Sequence, residues 1–98
     1  MAHSTASQDI LIESRLADAA QGNVEAYFQL GIAYSAGADG LEIDLVQAHK
    51  WFNLAALGGY EEGQLCRAEI ADAMDRREIA EAQRQARAWL AATSLRAA

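Results

Sequence analysis

Apolar residues recur at three- and four-residue intervals along most of this chain, the period of a helix with one buried face. Tyr27, Leu30, Gly31 and Tyr34 form one such stripe. Ala48, Trp51, Phe52 and Ala55 form a second, and Ile79, Ala82, Ala86, Trp89 and Leu90 a third. Gly22, Gly37 and the pair Gly58-Gly59 each follow a periodic run, where a helix commonly stops. Start signals come next. Asn23 can cap a helix opening at Val24, and Asp44 with Gln47 and Asp75 with Glu78 fit a capping box with Asp as the cap. The pattern predicts five helices, over 8–21, 24–37, 45–57, 60–74 and 76–93. The first ten residues and the last few are expected to fray. The one extended break is 38–44, ADGLEID. There Gly40 suits a turn of positive φ, and Leu41 and Ile43 are apolar enough to tuck under the neighbouring helices.

Small residues stand among large ones on these faces, as Ala48 and Ala55 do beside Trp51. Such faces approach closely and let one large ring fill each gap. The chain also resembles itself. A shift of 36 places Ala19-Ala20 on Ala55-Ala56, Gly22 on Gly58 and Glu25 on Glu61. A shift of 38 places Gln47-Ala48 on Gln85-Ala86, Trp51 on Trp89 and Phe52 on Leu90. Alanine matches are cheap in an alanine-rich chain; the tryptophan match is not. The expected architecture is all-α, a short α-solenoid of antiparallel helix pairs in which about five helices alternate between two layers. It is one domain over 1–98. The helix at 8–21 stands in for a missing preceding unit, 24–58 is a well-formed repeat, and 60–93 is a degenerate repeat or cap.

Composition narrows this. The chain has 98 residues, 52% of them apolar, and no proline, which fits helix and argues against disorder. Its net charge is −6. Residues before 45 carry Asp9, Glu13, Asp18, Glu25, Asp39, Glu42 and Asp44 against Arg15, which accounts for the whole imbalance. The last segment is basic, with Arg76, Arg77, Arg84, Arg87 and Arg96 against Glu78 and Glu81. An acidic chain is repelled by phosphate backbones and anionic lipid, so nucleic acid and membrane are poor partners. The start MAHSTASQDI has neither the basic nor the apolar part of a secretory signal, and no apolar run approaches a bilayer span. Cys66 is the only cysteine, so the fold needs no oxidising compartment. A cytoplasmic location is expected.

The run Leu30-Gly31-Ile32-Ala33-Tyr34-Ser35-Ala36-Gly37, then Asp39-Gly40-Leu41, Asp44, Gln47-Ala48, Trp51-Phe52, Ala55-Ala56 and Gly58, resembles the Sel-one-like repeat family, relatives of the tetratricopeptide repeat. The likeness is close over 26–58 and weak over 12–25 and 60–92. AHKWFNLAA followed by a helix ending in Trp89 looks like small bacterial members. The tetratricopeptide repeat itself shares L-G-x-x-Y, but the ADGLEID loop lengthens the unit and favours the Sel-one type. Gln47 stands where the family usually has Lys, and the second unit lacks L-G-x-x-Y. The resemblance implies repeat-defining structural roles for Leu30, Gly31, Tyr34, Gly37, Gly40, Asp44, Ala48, Trp51, Phe52, Ala55, Ala56, Gly58 and Trp89. It also implies a scaffold or adaptor for other proteins.

Candidate chemistry is thin. His49 has no second histidine on its face, His3 lying near the start, and reads as a surface or half-buried helix residue. One Cys and two His without metal-ligand spacing do not make a zinc site. Cys66 sits at an apolar helix position, where a buried, inert thiol is expected. Glu61-Glu62 stands in a first helical turn, where negative charge suits the helix dipole. The expected protein is therefore no enzyme and holds no cofactor or metal. It is a module whose helical surface binds another protein, with stacking into a self-assembled scaffold as the alternative. It is expected to be a monomer with scope for weak self-association. Arg84 and Arg87, facing carboxylates such as Asp18 or Glu25 of a partner or second copy, are the candidate contact residues.

Overall fold

A computed structural model describes the backbone of residues 5–97 and the side chains of residues 10–94. It contains five helices: α1 (Thr5–Ala20), α2 (Val24–Ala36), α3 (Leu45–Leu57), α4 (Glu61–Ala71) and α5 (Arg76–Ala97). The chain is all-α; no strand occurs among the described residues. The expected fraying of the ends bears on residues 1–4 and 98, which lie outside them, as does His3; from Thr5 the backbone is helical.

The starts form as the sequence dictates. The Asn23 side chain accepts from the Ala26 amide at 3.0 Å and the Asp44 side chain from the Gln47 amide at 3.1 Å. Asp75 and Glu78 make the full reciprocal box, at 2.9 and 2.8 Å. The box expected at Asp44 is only half made, because Gln47 turns its amide to Gln85 instead, at 2.8 Å. α2 ends on Gly37, at φ 67°, a left-handed conformation that only glycine adopts without strain. α4 stops three residues earlier than expected. The amides of Asp72, Ala73 and Met74 bond three residues back, winding the chain into a tight turn before the Asp75 cap. Leu41 is half-buried, but Ile43 does not tuck inward as expected: it is 63% exposed, lying along the surface by Gly37.

α2 and α3 pack antiparallel, with residues 24, 31 and 34 against 58, 52 and 44. They approach closely at Gly31, where a Cβ would stand 2.5 Å from the Phe52 ring, and at Gly58, where one would stand 2.5 Å from Val24. α3 is the hub: α2, α4 and α5 all pack on it, while α1 packs on α2. Trp51, Phe52 and Leu54 of α3 and Leu30 of α2 are the largest fully buried side chains, with Ala48 and Ala55 filling the close contacts. α3 and α5 run parallel, so Gln47 meets Gln85, and Trp51 meets Trp89 edge-on at 4.9 Å. These are the pairs that the 38-residue self-match aligns. The shortest dimension, 22 Å, is about two helix diameters. The segment 60–93 differs from a packed helix pair. α4 and α5 each dock on α3 and scarcely on one another, because the buried residues of both, Gly63 on one and Ala82 and Ala86 on the other, are spent on α3.

Candidate functional site

Three places in this framework bear chemistry. The first lies along α3. His49 is 3% exposed, buried more deeply than the surface or half-buried position expected, because helices cover α3 on several sides. Its Nδ1 has no hydrogen-bond partner among the described residues, and neither has the buried Trp51 Nε1. Burial pushes the His49 pKa below its ordinary value, and the nearby Arg67 charge pushes it the same way. Arg67 itself reaches back from α4 to the Asn53 side-chain oxygen. Beside it, Lys50 sets its ammonium 4.4 Å from the Trp51 ring centre and 5.4 Å from that of Trp89, and burial lowers its pKa. Cation–π attraction holds the amine there. Tyr27 stacks on Trp51 at 5.9 Å and accepts a hydrogen bond from Trp89 Nε1 at 3.4 Å, which closes an aromatic cluster across three helices. No group of three or more acidic, His or Cys side chains among the described residues is placed to hold a metal. Cys66 is half-exposed where burial was expected, since α4 buries only Gly63 against α3; burial, then Glu69 and Glu62, raise its pKa.

The second place is the surface of α5. Arg84 and Arg87 are exposed on it. Arg84 is engaged within its own helix, bonded to both Glu81 oxygens at 2.9 and 2.7 Å. Hydrogen bonds from Arg84 and then Gln85 hold the Glu81 carboxyl down to about 2. Arg87 makes no ion pair among the described residues. Asp18 and Glu25 are exposed on either side of the α1–α2 turn and are likewise unpaired within the described chain. The four candidate contact residues thus divide between α5 and the turn at the end of α1. The other ion pair of the acidic half, Arg15 with Asp39 at 2.6 Å, ties α1 to the 38–44 loop.

The third place was not foreseen. An open groove of about 790 Å³ lies between the last turn of α1 and the last turns of α5. Ala17, Ala20, Gln21 and Gly22 line one wall, Leu90, Thr93 and Ser94 the other, and Tyr27 also lines it. Leu90, read from the sequence as a core residue, is 38% exposed here. Trp89 beside it is half-buried against the core. These neutral residues make no motif, so no sequence signal marks this groove. Among the described residues, no helix is long and apolar enough to cross a membrane. Comparison with family models, with curated proteins and with solved structures gave no match.

Proposed function

We propose that this chain is a protein–protein interaction module that binds its partner through the surface of a short helical-repeat stack. The observation that carries the reading is the contact of Gln47 with Gln85 and of Trp51 with Trp89. Residues that match under a 38-residue shift touch one another, as successive units do when repeats stack. In such arrays each unit buries its face only against neighbours, and the open faces are left to partners. The resemblance of 26–58 to Sel-one-like repeats supports the same reading, with an adaptor role in the cytoplasm and no catalysis.

The alternative is a self-assembling scaffold, in which the basic α5 of one copy meets the acidic α1–α2 turn of the next. Exposed Arg87 against exposed Asp18 or Glu25 favours it. Head-to-tail contact of identical copies does not close on itself, which weighs against it. Sedimentation velocity at low and high salt, on wild type and on Arg84→Glu/Arg87→Glu, separates the two. A monomer near 10.6 kDa under all conditions is expected of the adaptor. Salt-sensitive chains that the double substitution dissolves establish the scaffold. Affinity capture from the native cell with mapped cross-links then tests the adaptor, which fails when no partner cross-links to any helix.

A further inference from the structure

The loop between α2 and α3 holds the chain's only Asp-Gly step, Asp39-Gly40, and the chain has no Asn-Gly step. Asp9, Asp18, Asp44, Asp72 and Asp75, like Asn23 and Asn53, are each followed by a residue with a side chain. That side chain hinders the next amide nitrogen from attacking the carboxyl or carboxamide; glycine leaves the nitrogen open. The local structure adds to this. Asp39 is the one non-glycine residue at positive φ among the described residues, at 58°, and Gly40 follows at 83°. An L-residue stays there only while its surroundings hold it. Gly40 is exposed, and its amide has no acceptor among the described residues, so no hydrogen bond must break before the nitrogen reacts. One restraint stands against it. Arg15 Nη1 on α1 holds Asp39 Oδ2 at 2.6 Å, with the two side chains only 23% and 26% exposed. It is the one ion pair among the described residues that joins two elements.

We infer that Asp39 is a site of spontaneous backbone isomerisation and that Arg15 restrains it. The Gly40 nitrogen attacks Asp39 Cγ. A C–N bond forms, and the amide hydrogen and a carboxyl hydroxyl leave together as one water, closing a succinimide ring. Water then adds to either ring carbonyl and breaks its bond to nitrogen. Attack at Cγ restores aspartate. Attack at the main-chain carbonyl leaves the chain running through the side-chain methylene, as isoaspartate. Nothing is oxidised or reduced, and water is the only co-reactant. An oxygen held by a guanidinium is not free to leave, so the ring closes while the Arg15 pair is open. The extra backbone atom falls inside the turn that the Leu41 amide closes on the Ala38 carbonyl at 3.1 Å. The product therefore loses that bond and, with its carboxylate moved, the tie to α1.

The test ages the full chain for weeks in near-neutral buffer and follows Asp39 by mass spectrometry. The succinimide is lighter by one water. Isoaspartate is unchanged in mass but resists cleavage before Asp39 by an aspartate-specific endoproteinase. Wild type is expected to accumulate both slowly, at this aspartate first, with faster exchange of the Leu41 amide in the product. Arg15→Gln should speed the reaction severalfold. Salt should speed it in wild type, by screening the pair, and should leave Arg15→Gln unaffected. Amide exchange along α1 shows whether the helix still packs in Arg15→Gln; if it has loosened, the salt series on wild type decides. Equal rates in wild type and a packed Arg15→Gln overturn the inference. So does a wild-type rate indifferent to salt, and so does an Asp39 that ages no faster than the other aspartates.

Discussion

Gly63 is the one buried residue of α4 and lies where this helix presses closest on α3. A Cβ there would lie 2.9 Å from the Phe52 carbonyl oxygen, 2.9 Å from Ala55 Cβ and 3.1 Å from the Ala56 amide nitrogen. None of these atoms is the end of a flexible side chain, so none can swing aside; α4 has to move outward. Two effects oppose each other in Gly63→Ala. Alanine is better than glycine inside a helix by about 0.8–1.0 kcal/mol. Overpacking a tight contact costs about 1–3 kcal/mol. Gly63 sits in the first turn of α4, where the helix gain is at its smallest, so the steric cost wins by about 0.5–2 kcal/mol. In a domain of this size each kcal/mol moves the melting temperature by about 4–8 °C, which predicts a fall of about 2–16 °C. Thermal unfolding followed by circular dichroism measures it. Ala68→Gly, on the exposed face of the same helix, calibrates the helix effect alone and should cost about 1 kcal/mol. A rise in melting temperature for Gly63→Ala would mean that the close approach of α4 to α3 is not what holds this helix.

Trp51→Ala should cost about 3–5 kcal/mol, a large part of the roughly 5–15 kcal/mol that stabilises a small domain; a urea midpoint close to wild type would place the ring outside the core. Asp44→Ala should cost about 0.5–2 kcal/mol and speed exchange of the Gln47 amide, and unchanged exchange would refute the cap. His49 predicts a pH dependence. Its pKa in the fold lies below its unfolded value of about 6.5, so at acid pH the unfolded chain binds the extra proton. Stability is then fully present above the unfolded pKa and declines as pH falls through it toward the folded value. Between about pH 7.5 and pH 5, His49→Gln should lose less stability than wild type; equal losses would show that His49 is not the group responsible.

Much of this fold was legible because helix ends are local chemistry. Asn23, Asp44 and the Asp75–Glu78 box are found where the sequence places them, since a cap needs only its own next three residues. The far end of α5 was underestimated because no glycine or proline stops it, and it runs on to Ala97. Gln47 had two partners to choose from, the local cap and the distant Gln85; only the packing of α3 on α5 decides between them. His49 was misread for a related reason. A helix face reads as solvated when nothing local covers it, and the helices that pack on α3 come from both sides in the sequence. The groove was hidden altogether. Ala17 and Ser94 are unremarkable residues far apart in the chain, and they become walls only because Tyr27 and Trp89 bring α1 and α5 to the same cluster.

The central position of α3 also sets an order of events as the chain folds. α2 and α3 are separated by a short loop, whereas Gln47 and Trp51 find their α5 partners across a separation of 38 residues. Closing the shorter loop costs less entropy, so the α2–α3 hairpin is the natural nucleus and α5 joins it later. Truncating Leu30 should therefore slow folding in stopped-flow traces, while truncating Trp89 should mainly speed unfolding; the reverse pattern would put α5 in the nucleus. A ribosome releases this chain from the α1 end. The α3 face that carries Ala48 and Trp51 thus stays bare until the last helix emerges, and in that interval it offers an apolar surface to whatever chaperone or nascent chain is near.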